Sequence, residues 1–191
     1  MLQFASDLYL EKCMGLRKLI AYNTFNGLKL LHIMDCSCSF VPVEGGSGQF
    51  DPLPNLEYIE LRFVENLKSV SDFGQYWGLR FSKLRQLAIY RCESLTCLFK
   101  DGGAFSVPKH MEEITRVRKL KLFLLPELGT LGEPQSMWED LEELKSSSPE
   151  CGTAKYVGGN ELSMGIQNLF AEGNMSDSEG SSSHVDMQIS G

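Results

Sequence analysis

What this chain has little of narrows its function before anything else does. No stretch approaches the roughly 20 consecutive apolar residues that a bilayer-spanning helix needs. Near the start, Asp7, Glu11 and Lys12 interrupt the apolar run that a secretory leader requires. No membrane span and no export are expected, and the expected location is the cytoplasm. Positive charge is scarce, because 18 Lys and Arg against 25 Asp and Glu leave a net charge of −7. Binding to nucleic acid needs a clustered surplus of cations, so no nucleic-acid partner is expected.

Recognisable reaction chemistry is missing as well. The three histidines, His32, His110 and His184, lie far apart. There is no GxxxxGK[ST] phosphate cradle, no GxSxG elbow and no HExxH pair. The Gly45-Gly46-Ser47-Gly48 cluster has no Lys-Ser/Thr behind it and reads as a loop. Among the six cysteines, Cys36 and Cys38 form one CxC with no second pair to complete a zinc set. The sequence therefore predicts no enzyme, no cofactor and no metal, and cysteines that stay reduced and partly buried.

What is present is a repeat. The frame LxxLxLxxCxxLxxL fits the chain several times over. Ala5, Leu8, Leu10 and Cys13 fill it first, then Leu28, Leu31, Ile33 and Cys36. Leu56, Ile59, Leu61, Val64, Leu67 and Val70 complete it, as do Leu84, Leu87, Ile89, Cys92, Leu95 and Leu98. Val117, Leu120, Leu122, Leu125, Leu128 and Leu131 form a further copy, and Leu141 with Leu144 opens a decayed one. First positions lie 23, 28, 28, 33 and 24 residues apart.

The two-residue step inside each copy puts both apolar side chains on one face of a short strand. One coil cannot bury that face alone, so neighbours stack. The predicted fold is an α/β solenoid of about five to six irregular repeats over residues 1–145, with short parallel strands on its concave face and an irregular convex side. The returns are expected to be loop-rich, with Phe73, Tyr76 and Trp77 covering the convex side, and Pro108 is expected to open a short helix. At Ser146 the apolar frame fails. Residues 146–191 carry six acids against Lys155 alone, so they are read as a mostly disordered acidic tail.

Between the inward positions of each strand lie the residues expected on the concave face. The candidate protein-binding set is Tyr58, Glu60, Arg62, Tyr90, Arg91, Lys121 and Phe123. Tyr, Phe and Arg at neighbouring heights combine large contact area with polar handles, as binding hot spots do.

Leu53 to Phe99, LPNLEYIELRFVENLKSVSDFGQYWGLRFSKLRQLAIYRCESLTCLF, and Val117 to Leu131, VRKLKLFLLPELGTL, resemble the distal repeats of plant coiled-coil/nucleotide-binding (NBS-LRR) disease-resistance proteins. The resemblance covers roughly residues 1–145. It implies a leucine-rich-repeat horseshoe that restrains an ATPase-like switch domain at rest and senses a pathogen effector or a guarded host protein. A nucleotide-binding domain, in cis or in trans, would be a partner. With no phosphate cradle of its own, the chain is expected to be a partial or truncated receptor. The alternatives are a substrate-recruiting repeat domain of an F-box-type ubiquitin ligase and a stand-alone scaffold.

Overall fold

The computed structural model describes residues 5–12, 25–37, 51–77, 79–99, 116–132, 135–146, 156–157 and 160–161. In chain order the elements are β1 (Asp7–Glu11), β2 (Leu30–Met34), β3 (Tyr58–Arg62), α1 (Val70–Trp77), β4 (Gln86–Tyr90), β5 (Cys97–Phe99), β6 (Lys119–Phe123) and β7 (Thr130–Gly132). A 3-10 turn at Gln135–Trp138 follows, then β8 (Glu143–Ser146), β9 (Tyr156–Val157) and β10 (Asn160–Glu161). The architecture is a mostly parallel sheet with few helices.

Six strands form the main sheet in the order β1-β2-β3-β4-β6-β8, with every neighbouring pair parallel. Register follows the sequence frame residue for residue. Leu8, Leu31, Ile59, Leu87, Leu120 and Leu144 stand in one row, and Leu10, Ile33, Leu61, Ile89, Leu122 and Ser146 in the other. Leu61, Ile89 and Leu122 lie side by side and are fully buried. Each such leucine contributes about 1.5–3 kcal/mol by leaving water.

The backbone repeats as faithfully as the side chains. Before each strand, one carbonyl accepts two N–H groups from the next copy. Ser6 C=O accepts from Lys29 and Leu30 at 2.8 and 3.0 Å, and Lys29 C=O from Glu57 and Tyr58 at 2.9 and 3.0 Å. Glu57, Arg85 and Arg118 continue the series. After each strand, one residue enters the left-handed region: Lys12, Asp35, Phe63, Arg91 and Leu124, at φ between 50° and 54°. Non-glycine residues resist this conformation by about 1–2 kcal/mol. For the first four, the N–H is thereby aimed at the last strand carbonyl of the next copy, at 2.9–3.1 Å. The turn thus satisfies backbone groups that burial would otherwise leave unpaired.

Cys36 and Cys92 sit just beyond this turn and are buried. Their sulfurs lie 3.4 and 3.6 Å from the carbonyls of Met34 and Tyr90. Burial pushes the Cys92 thiol up to about 11, against a weaker downward pull from a Val64 backbone hydrogen bond. That bond is to the preceding copy, as expected of an inward cysteine.

Two expectations are corrected. The return after β3, expected to be loop-rich, contains a helix, Val70–Trp77. Ser69 caps it, its Oγ accepting the Asp72 N–H at 3.0 Å. Phe73 is core rather than cover, fully buried. Gly74 lies inside the helix, where an added Cβ would stand 2.8 Å from the Phe81 ring. Secondly, the return side is not wholly irregular, since β5 and β7 pair as a second, parallel sheet. β8 runs to Ser146, two residues past Leu144, and Ser146 is buried opposite Leu122. β9 and β10 form a short antiparallel pair. The helix expected at Pro108 lies outside the described residues, and the side chains of Tyr76 and Trp77 are likewise outside them.

Trp138 fills a position the frame does not name. It is fully buried, its ring 5.7 Å from Phe99, and its Nε1–H points to the Gly132 carbonyl at 3.4 Å. Phe25, Leu53, Phe81 and Trp138 each stand three residues before a frame-opening leucine and accept its N–H at 3.0–3.2 Å.

Candidate functional site

The sheet face opposite the core is assembled by the register just described. Successive strands place Tyr9, His32, Glu60, Ala88, Lys121 and Lys145 in one row, and Glu11, Met34, Arg62, Tyr90 and Phe123 in another. The left-handed residues form a third row, in which Phe63 and Leu124 are 42% and 47% exposed on either side of Arg91. Two large apolar side chains held out by their backbone need an explanation that core packing does not supply.

Glu60 is the hub. Although it belongs to the outward row, it is buried. Its Oε2 accepts the Tyr58 hydroxyl at 2.8 Å and lies 2.8 Å from His32 Nδ1, while its Oε1 accepts the Arg62 Nε–H. Burial pushes the Glu60 carboxyl up, but the hydrogen bonds from Tyr58 and Arg62 and the Arg62 charge outweigh it, and the pKa lies below the ordinary value. Burial, with the Glu60 carboxylate next, raises the Tyr58 phenol well above its usual range.

Aromatic stacking extends the cluster in both directions. Tyr9 lies flat on His32, with centroids 4.1 Å apart, and His32 is 5.2 Å from Tyr58. The Arg62 guanidinium lies 4.5 Å over the Tyr90 ring, which stacks on Phe123 at 4.9 Å. Arg91 lies 5.6 Å over Phe63. Such cation–π pairs contribute about 0.5–1 kcal/mol each where exposed.

Of the seven residues the sequence singles out, the structure joins Tyr58, Glu60, Arg62, Tyr90 and Phe123 into one contiguous cluster. Arg91 stands in the next row beside Phe63, and Lys121 occupies the Glu60 row beyond Ala88. Glu60 is not a free handle, since its oxygens already serve three donors. Tyr9, His32, Phe63 and Leu124 belong to the face and were left out of that set. The frame lists the positions of all four, but only a fold places Tyr9 on His32.

Charge on this face is uneven. Along β3, β4, β6 and β8 and at the left-handed positions after β3, β4 and β6, Arg62, Arg91, Lys119, Lys121 and Lys145 stand against Glu60 and Glu143, while Glu65, Glu93 and Glu127 follow further along the turns. Over β1 and β2, Asp7, Glu11 and Asp35 stand against Lys12. Lys119 and Lys145 both bind Glu143, at 3.3 and 3.2 Å, and Lys12 binds Asp35 at 3.6 Å. Among the described residues no group of three or more His, Cys, Asp or Glu side chains could hold a metal ion.

This geometry of aligned strands with a varied outer face can be set beside known proteins. A probable disease resistance protein of Arabidopsis thaliana is 30% identical over 128 residues, 64% of this chain and 14% of that protein. A second disease resistance protein of the same plant is 26% identical over 208 residues, 85% of this chain and 21% of its own length. The chain is similar to these plant disease resistance proteins. That relation supports a role in plant defence. The chain spans only about a seventh to a fifth of these relatives. No family model matches it, and no solved structure does. Among the described residues, no helix is long and apolar enough to cross a membrane.

Proposed function

We propose that the chain is a leucine-rich-repeat recognition region of a plant intracellular immune receptor of the coiled-coil, nucleotide-binding type. In this reading it works in the cytoplasm by binding proteins and carries out no reaction itself. Its partners are a pathogen effector or a guarded host protein, and the receptor's nucleotide-binding domain, which it restrains at rest. The stacked copies form a horseshoe whose concave face is the row-patterned face described above.

One observation carries the reading. Copy after copy keeps the same inward apolar pair and backbone hydrogen bonds while the outward residues change from strand to strand. A scaffold so regular inside and so varied outside is suited to recognising a surface, because each outward side chain is held at a fixed height and spacing. The similarity to disease resistance proteins supplies the biological setting.

The test is co-expression of the full chain with a nucleotide-binding domain from such a receptor, followed by co-precipitation. Reversing Arg62 would disturb buried Glu60 and hence the fold, so the face is probed with Arg91→Glu and Phe63→Ser together. Association that this double variant loses, at unchanged circular dichroism, supports the reading. Association that it retains in full removes the face from the function, and no association with the switch domain or any candidate effector overturns the assignment.

A further inference from the structure

The open face reverses the sign of the chain that carries it. The chain has a net charge of −7, yet along β3, β4, β6 and β8 and at the left-handed positions Phe63, Arg91 and Leu124 five cations meet two carboxylates, with Glu65, Glu93 and Glu127 further along the turns. Both carboxylates are already engaged. Glu60 serves Tyr58, Arg62 and His32, and Glu143 serves Lys119 and Lys145. Arg91 and Lys121 therefore have no ion-pair partner among the described residues, and neither Glu65 nor Glu93 pairs with Arg91. Phe63 and Leu124 flank Arg91, exposed and fixed outward by their positive φ.

We propose that the β3–β4–β6 part of this face binds an acidic protein segment carrying a large apolar side chain. Its carboxylates pair with Arg91 and Lys121, and its apolar group packs between Phe63 and Leu124. This rests on the reading of the face as a recognition surface and adds the chemistry of what is recognised. The Arg91 guanidinium already has one flat side toward the Phe63 ring. Its in-plane N–H fork remains the natural place for a carboxylate. A basic segment would meet Arg62, Arg91 and Lys121 together, and unpaired like charges at an interface are strongly disfavoured.

The experiment uses the full chain and three short fluorescent peptides read by anisotropy. One alternates Glu with Leu and Phe, the second replaces Glu by Lys, and the third replaces Leu and Phe by Ser. Selective binding of the first is expected, with affinity falling as salt is raised. Arg91→Glu with Lys121→Glu should weaken it by about tenfold or more, and Phe63→Ser by several-fold, at unchanged circular dichroism. Unchanged affinity in the charge-reversed variant overturns the proposal. Equal or tighter binding of the Lys peptide, lost with Phe63→Ser, overturns the acidic partner while leaving the face as a recognition surface. No binding of any peptide overturns the proposal too, while co-precipitation with the switch domain would still uphold the broader reading. Binding that arises only after Glu172, Asp177, Glu179 and Asp186 are neutralised means the chain's own acidic segment occupies the site, and also overturns the proposal.

Discussion

Ser146 lies directly opposite Leu122 in the parallel pairing of β6 and β8, in a row otherwise filled by Leu10, Ile33, Leu61 and Ile89. Its side chain is buried, and its Oγ has no hydrogen-bond partner among the described residues. An unsatisfied buried hydroxyl costs about 1–3 kcal/mol relative to an apolar group of similar size. Ser146→Ala should therefore raise stability by about 1 kcal/mol, read as a higher urea midpoint at an unchanged slope. A lower midpoint would reveal a partner for the hydroxyl.

Gly132 is the position where a side chain is least tolerable. Its φ is +82°, and an added Cβ would come within 1.6 Å of the Phe99 carbonyl oxygen, on the paired strand β5. Gly132→Ala must separate β7 from β5 and disturb Trp138, whose indole points to the Gly132 carbonyl. A loss of about 3 kcal/mol or more is expected. Gly129→Ala is the control, since its Cβ would be no closer than 3.9 Å to Thr96 O. That change should stay within about 0.5 kcal/mol. Equal effects at the two sites in thermal melts would refute the packing account.

Glu60 makes stability depend on acid pH. Its folded pKa lies below the ordinary 4.5, so folding favours the carboxylate. The corresponding stability is fully present above that ordinary value and is lost as pH falls through the lower folded pKa. Glu60→Gln removes the dependence. At neutral pH it should cost about 1–3 kcal/mol, because Arg62 loses a charged acceptor within a buried cluster. Below about pH 4.5 the gap to the wild type should narrow. Melting temperatures of both proteins from neutral to acid pH check this. A gap that stays constant would place the pH dependence elsewhere.

Some features could be found in the sequence because they are periodic. The inward leucines, the strand cores and the cysteine turn recur at nearly fixed spacing, and among the described residues counting places the strand pairs and Cys36 and Cys92 where the structure has them. Helix α1 lies where the sequence frame predicts a loop-rich return, although Ser69 stands three residues before Asp72, a usable capping pattern. In the fold, Gly74 is the contact that admits the Phe81 ring. Trp138 was missed because it stands outside the frame and marks its register only through the Leu141 hydrogen bond.

The sequence alone determined which residues face inward, because burial needs apolar side chains at a period of two within each strand and at one repeat between strands. It also determined which residues face outward. Only the tertiary structure decided what those outward residues do to one another. Glu60 became a shared hub, while Arg91 and Lys121 have no carboxylate partner among the described residues, because parallel pairing brings together side chains about 28 residues apart. No local pattern encodes the chemistry of such neighbours.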